Sequence, residues 1–106
     1  MKKSDRLRAL PFFVLTLGLI GCSETPPHPG QAIWETTCSS CHQTGLAGAP
    51  VIGDEKAWGK RLARGKDSLY GHALNGWGDM PARGGNPELS DDQVKLAVDY
   101  MLSKVE

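Results

Sequence analysis

The stretch CSSCH, Cys38 to His42, constrains this chain more than any other feature, because two thiols one helical turn apart with an imidazole next in line suit three chemistries. They can form a redox dithiol, supply half of a zinc site, or hold a haem by its two vinyl groups and its iron. A tetrahedral zinc site wants four ligands, ordinarily from a second pair spaced like the first, and the chain has none. A thioredoxin-like dithiol wants CxxC between a strand and a helix of a βαβ pattern, whereas the flanks here read as helix and loop. Haem attachment needs only what the five residues supply, and CxxCH in an exported chain is a strong signal for it.

Export is read from the first residues. Lys2, Lys3, Arg6 and Arg8 precede the apolar block LPFFVLTLGLI, followed by LIGC at Leu19 to Cys22. The block falls short of the ~20 residues a membrane span needs, so a removed signal is favoured over a permanent helix. LIGC resembles the lipobox of bacterial lipoproteins, which makes Cys22 the acylated first residue of the mature chain and explains a third cysteine that would otherwise be a reactive surplus. The predicted division is a signal over residues 1–21, a proline-rich tether over 22–29 and one domain over 30–106. Loss of residues 1–21 removes four basic groups and one acidic group, so a formal charge of 0 becomes −3. Such a balance offers no electrostatic case for nucleic acid. Pro26, Pro27 and Pro29 favour an extended tether, in which His28 reads as a solvated side chain.

The rest of the chain predicts an all-α fold, helices joined by glycine- and proline-rich loops without an alternating strand pattern. One helix should begin near Gly30 and carry Ile33, Trp34 and Thr37 toward the cysteines. A second runs from the cap Asp54 through Trp58 and Leu62 to a stop at Gly65, and a third, shorter one covers Asp67 to Leu74. In the last, Ser90 and Gln93 read as a capping box, and Val94, Ala97, Val98, Met101 and Val105 recur on one face.

A haem iron held by His42 has a sixth position, and its occupant decides between electron transfer and catalysis. In NGWGDMPARGG, Met80 lies outside any helical stripe, among glycines that let backbone approach a flat group and beside Pro81, which limits mobility. Met80 is therefore the expected ligand, Met101 is expected to be core, and His72 is the competing ligand.

Taken together these residues resemble the class I c-type cytochromes, and within them the small cytochrome c5-like group. The likeness runs over residues 30–104: Gly30 and Trp34 ahead of CxxCH with Tyr100 as partner, GAP at Gly48 to Pro50, Gly53, Asp54 and Trp58, the Met80-Pro81 loop, and LSD…AVDYM near the end. The resemblance implies a small fold of about four helices around one haem c, attached through Cys38 and Cys41 with His42 and Met80 as axial ligands. It implies that the Pro50 carbonyl receives the other ring N–H of His42, and that Trp58 and Arg61 pack or pair with the haem propionates. Lys56, Lys60, Arg61, Arg64 and Lys66 form a basic run that reads mostly as a solvated face and could form a docking patch. Many of the c5 group carry an extra cysteine pair just after the methionine loop; here Asn86 and Leu89 stand there, so lipid and haem account for all three cysteines.

The function implied is an electron carrier, not an enzyme: a monomer, lipid-anchored on the periplasmic side of a bacterial membrane, meeting redox partner proteins transiently. Two alternatives stay open. The chain could be the cytochrome subunit of a larger dehydrogenase or oxidase complex, or a haem sensor or peroxidase-like enzyme if Met80 is not a ligand.

Overall fold

The computed structural model describes residues 11–15, 18, 21 and 24–105. Most of the expected signal, and Cys22 directly after it, lie outside the described residues. Among the described residues there are four helices, two short 3-10 turns and no strand, and no helix is long and apolar enough to cross a membrane.

The first helix, α1, spans residues 31–42 and is not regular. It opens as an α-helix over Gln31–Ile33, widens to a π-turn over Trp34–Cys38, and returns to α over Ser39–His42. Small hydroxyl side chains explain the departure, since they compete with backbone donors for carbonyls. The Ser39 N–H reaches back five residues to the Trp34 carbonyl, and the Glu35 carbonyl it leaves accepts instead from the Ser39 hydroxyl at 2.7 Å. Thr36 likewise donates to the Ala32 carbonyl at 2.9 Å. The extra residue in that turn re-aims CSSCH relative to Trp34.

The remaining helices are α2 at Glu55–Leu62, α3 at Lys66–Asn75 and α4 at Asp91–Ser103. Asp54 caps α2 as expected, its carboxylate accepting from Ala57 N–H at 3.0 Å. Contrary to expectation α3 is the longer of the two, 10 residues against 8. Gly65, at φ +92°, turns the chain so that Lys66 enters the helix with no side-chain cap, and Gly76, at φ +85°, ends it. The capping box on α4 is complete: Ser90 Oγ accepts from Gln93 N–H at 3.1 Å and Gln93 Oε1 from Ser90 N–H at 2.9 Å. Val105, read as part of that helix's apolar face, lies past its end and still packs on the core.

The core forms where α1 crosses α4. A Cβ on Gly30 would fall 1.9 Å from the Leu96 carbonyl oxygen, so the crossing is closer than any side chain permits. One turn on, Trp34 packs against Tyr100 with ring centroids 5.6 Å apart, as the sequence predicts. Val94, Ala97, Val98, Met101 and Leu102 of α4, Leu69 and Ala73 of α3 and Trp58 of α2 complete the buried cluster. Each large apolar side chain so buried contributes about 1.5–3 kcal/mol.

His28 departs from its expected solvated state. Its carbonyl accepts from Gln31 N–H at 2.9 Å, its Nδ1 accepts from Gly30 N–H at 3.0 Å, and its ring lies 5.6 Å from that of Tyr100. Pro29 is the reason: its fixed φ suits the second position of a tight turn, which folds His28 back onto α4.

Candidate functional site

All four helices meet around one cavity of about 310 Å³. The end of α1 and the loop after it supply Cys41, His42, Leu46 and Pro50; α2 supplies Trp58 and Arg61; α3 supplies Leu69, His72 and Ala73; the segment from Trp77 to Pro81 and Val98 and Met101 of α4 close it. Cys38 lines a small adjoining pocket that shares Ala73, Met80, Val98 and Met101 with the main one.

His42 is buried, and its Nδ1 lies 2.9 Å from the Pro50 carbonyl oxygen. A carbonyl only accepts, so Nδ1 carries the proton and Nε2 keeps the free lone pair. The main chain is held as well, since the His42 carbonyl accepts from Ile52 N–H at 2.7 Å. The ring is thus fixed in the tautomer a metal ligand requires. Trp58 packs beside it with ring centroids 6.0 Å apart. Its indole N–H donates to the Val51 carbonyl at 2.9 Å, so Trp58 contributes packing, its donor being already engaged. Arg61 reaches the cavity wall while donating to the Ala57 carbonyl at 2.7 Å.

Met80 owes its place to a tight turn. Trp77 and Met80 exchange both backbone hydrogen bonds, at 3.0 and 2.9 Å, around Gly78 at φ +56°. A Cβ on Gly76 would meet the Met80 carbonyl oxygen at 2.9 Å and the Ala82 nitrogen at 3.0 Å, so only glycine admits the returning arm of the loop. Met101 is buried in α4, as expected of core. His72 lines the same cavity, with its ring stacked on Trp77, centroids 4.0 Å apart and planes 18° apart.

Cys38 and Cys41 are free thiols in this structure. Burial, assisted by Cys41, pushes the Cys38 thiol up to about 11. A dithiol oxidoreductase needs its nucleophilic thiol lowered, and here the environment acts the other way. Among the described residues no group of three or more His, Cys, Asp or Glu side chains is placed to hold a metal ion, which leaves the zinc reading without a ligand set. What the cavity offers is two imidazoles, His42 and His72, two thioethers, Met80 and Met101, two thiols at the wall and an apolar lining of Leu69, Ala73 and Val98. That donor set fits a flat, mostly apolar, iron-bearing group.

Three residues were missed from the sequence. Leu46 and Trp77 line the cavity yet are 60% and 61% exposed, and only the nearness of Trp77 to Met80 hinted at its place. Arg83 braces the loop that follows Pro81, donating to the Leu89 carbonyl at 2.8 Å and to Asp91 at 2.5 Å. The basic run behaves mostly as expected: Lys56, Lys60 and Arg64 are exposed, and Lys66 pairs with Asp99 at 3.7 Å.

The family described as "Cytochrome C oxidase, cbb3-type, subunit III" matches residues 25–101. Cytochrome c-555 of Chlorobaculum tepidum is 43% identical over 79 residues, which cover 71% of this chain and 73% of that protein. Cytochrome c5 of Azotobacter vinelandii is 41% identical over 66 residues, 60% of this chain and 80% of its own. Among solved structures, the electron transfer complex of nitrite reductase with cytochrome c contains a chain that matches with a TM-score of 0.71 and 35% identity, over 77% of this chain and 100% of that one.

Proposed function

This chain belongs to the class I c-type cytochromes and is a monohaem electron carrier rather than an enzyme; from that premise we infer that Cys38 and Cys41 form the thioethers to haem c and that His42 and Met80 are its axial ligands. The observation that carries this reading is the single cavity lined by both His42, with its Nε2 lone pair free, and Met80. Pro50 keeps the His42 proton on Nδ1 and so raises the basicity of the ligating nitrogen. The Trp77 bridge holds the Met80 backbone, and Leu69, Ala73, Val98 and Met101 give the cavity an apolar wall. Bound haem supplies one-electron cycling between ferrous and ferric iron. With both axial positions taken by the chain itself, no site remains for a substrate, and partners meet the protein transiently at a small surface.

The full chain, exported with a cytochrome c maturation system, should show a c-type reduced spectrum and, when ferric, the weak far-red band that marks a methionine sulfur on iron. A haem spectrum without that band, in wild type as in Met80→Leu, would transfer the sixth position to His72 or leave it open, and with it revive the sensor or peroxidase-like reading. The His72 ring, stacked on Trp77, supports Met80 over His72.

The location follows from the first residues. The chain is exported to the periplasmic side, where Cys22 carries the lipid and the stretch from Cys22 to Pro27 tethers the domain, His28 being docked on α4. The basic start, the apolar block and LIGC support this, and the exposure of Phe12, Phe13, Val14 and Leu15 agrees with a segment that takes no part in the domain's core. Cys22→Ala should move the haem protein from the membrane to the soluble fraction; retention in the membrane would count against the anchor. A second reading, a subunit of a larger oxidase or dehydrogenase, is favoured by the description of the matching family. It predicts stable co-purification with a catalytic subunit from native membranes, whereas a free carrier elutes alone.

A further inference from the structure

We propose that His72 and Trp77 are positioning residues, a clasp that fastens the Met80 loop to α3; the proposal rests on the reading of Met80 as the iron's sixth ligand and adds what keeps it there.

Trp77 spends its whole backbone on Met80, donating to its carbonyl at 3.0 Å and accepting from its N–H at 2.9 Å. The position of Met80 is therefore only as firm as that of Trp77. The Trp77 side chain is 61% exposed, so little of it is held by the core. Its ring contact is His72, at 4.0 Å and 18°, a stacked geometry for two flat rings. His72 sits in the last turn of α3, and α3 itself is anchored by buried Leu69 and Ala73. The line of force runs from the α3 core through the His72 ring to the Trp77 indole, and from the Trp77 main chain to Met80. The loop needs such a clasp because Gly76, Gly78, Gly84 and Gly85 all take positive φ and give the segment a large conformational entropy to lose.

The test uses the haem-loaded full chain and four variants: His72→Ala, Trp77→Ala, the double variant, and His72→Phe, which keeps a flat ring in the stack. Hydrogen exchange at the Met80 amide reports the clasp directly, whatever ligates the iron. It should run at least about tenfold faster in either alanine variant, near the wild-type rate in His72→Phe, and no faster in the double variant than in the singles, since both remove one device. The ferric far-red band should fade at lower pH, and cyanide should bind faster, in the same variants. Unchanged Met80 amide exchange in both His72→Ala and Trp77→Ala would overturn the clasp. So would a double variant whose effect is the sum of the singles. Absence of the far-red band in wild type would instead overturn Met80 as ligand, and the amide result would still decide the clasp.

Discussion

Gly30 is the least replaceable residue outside the cavity. An alanine methyl there would meet the Leu96 carbonyl at 1.9 Å, and what stands in the way is backbone, which cannot swing aside. Gly30→Ala should cost about 1–3 kcal/mol or more, seen as a lower urea midpoint with an unchanged m-value. Trp34 makes a subtler case. Its indole nitrogen is buried and has no hydrogen-bond partner among the described residues, so Trp34→Phe removes a donor that is already a liability. That change should stay within about 1 kcal/mol, while Trp34→Ala, which empties the pocket beside Tyr100, should cost about 3–5 kcal/mol. A Trp34→Phe variant as damaged as the alanine one would mean that the indole nitrogen is engaged after all. At this scale the sequence spoke clearly where chemistry is local. CSSCH and the Met80 loop were legible and the carbonyl of Pro50 was implied only by the family resemblance, whereas the burial of the Trp34 nitrogen was not legible, because it depends on what α4 lays across it.

Among the elements, the loop between Met80 and α4 most rewards a mutational test. Arg83 takes a left-handed backbone, φ +56°, unusual for a residue with a side chain. Two bonds from its guanidinium offset that strain, one to the Leu89 carbonyl and one to Asp91 at the start of α4. Arg83→Gln should destabilise the protein by about 1–3 kcal/mol through the lost carbonyl contact and the freed loop. Asp91→Asn, which weakens only an exposed ion pair, should cost under about 1 kcal/mol. Thermal melts of the two variants separate these contributions, and equal losses would place the whole effect in the ion pair. The caps at Asp54 and Ser90 were readable because each satisfies its own helix within three residues. The π-turn in α1 was not, since it arises from Thr36 and Ser39 competing for carbonyls rather than from apolar spacing. The fold of His28 onto Tyr100 and the brace from Arg83 escaped for a related reason: a turn proline and a long cation can be read as such, but not the surface they meet.

For the whole molecule, the cavity that joins the four helices is the chief liability of the empty chain. Removal of residues 1–21 leaves 85 residues, a size at which the core is modest, and much of that core faces the cavity. The chain without haem should therefore be largely unfolded by circular dichroism, and Cys38→Ser or Cys41→Ser variants should fail to accumulate. A cooperative melt of the apoprotein would refute this. The all-helical fold was legible from capping and periodicity, yet how the helices share one cavity was not, because no single helix contains it. The crossing of Gly30 over Leu96 has a kinetic side too. It joins the first helix to the last, with nearly the whole domain as the loop between them. Closing so long a loop adds an entropic cost to the step that forms this contact. The contact cannot form before the final helix is available, and until it does CSSCH is not yet held by the crossing, which leaves its two thiols open to attachment of the haem.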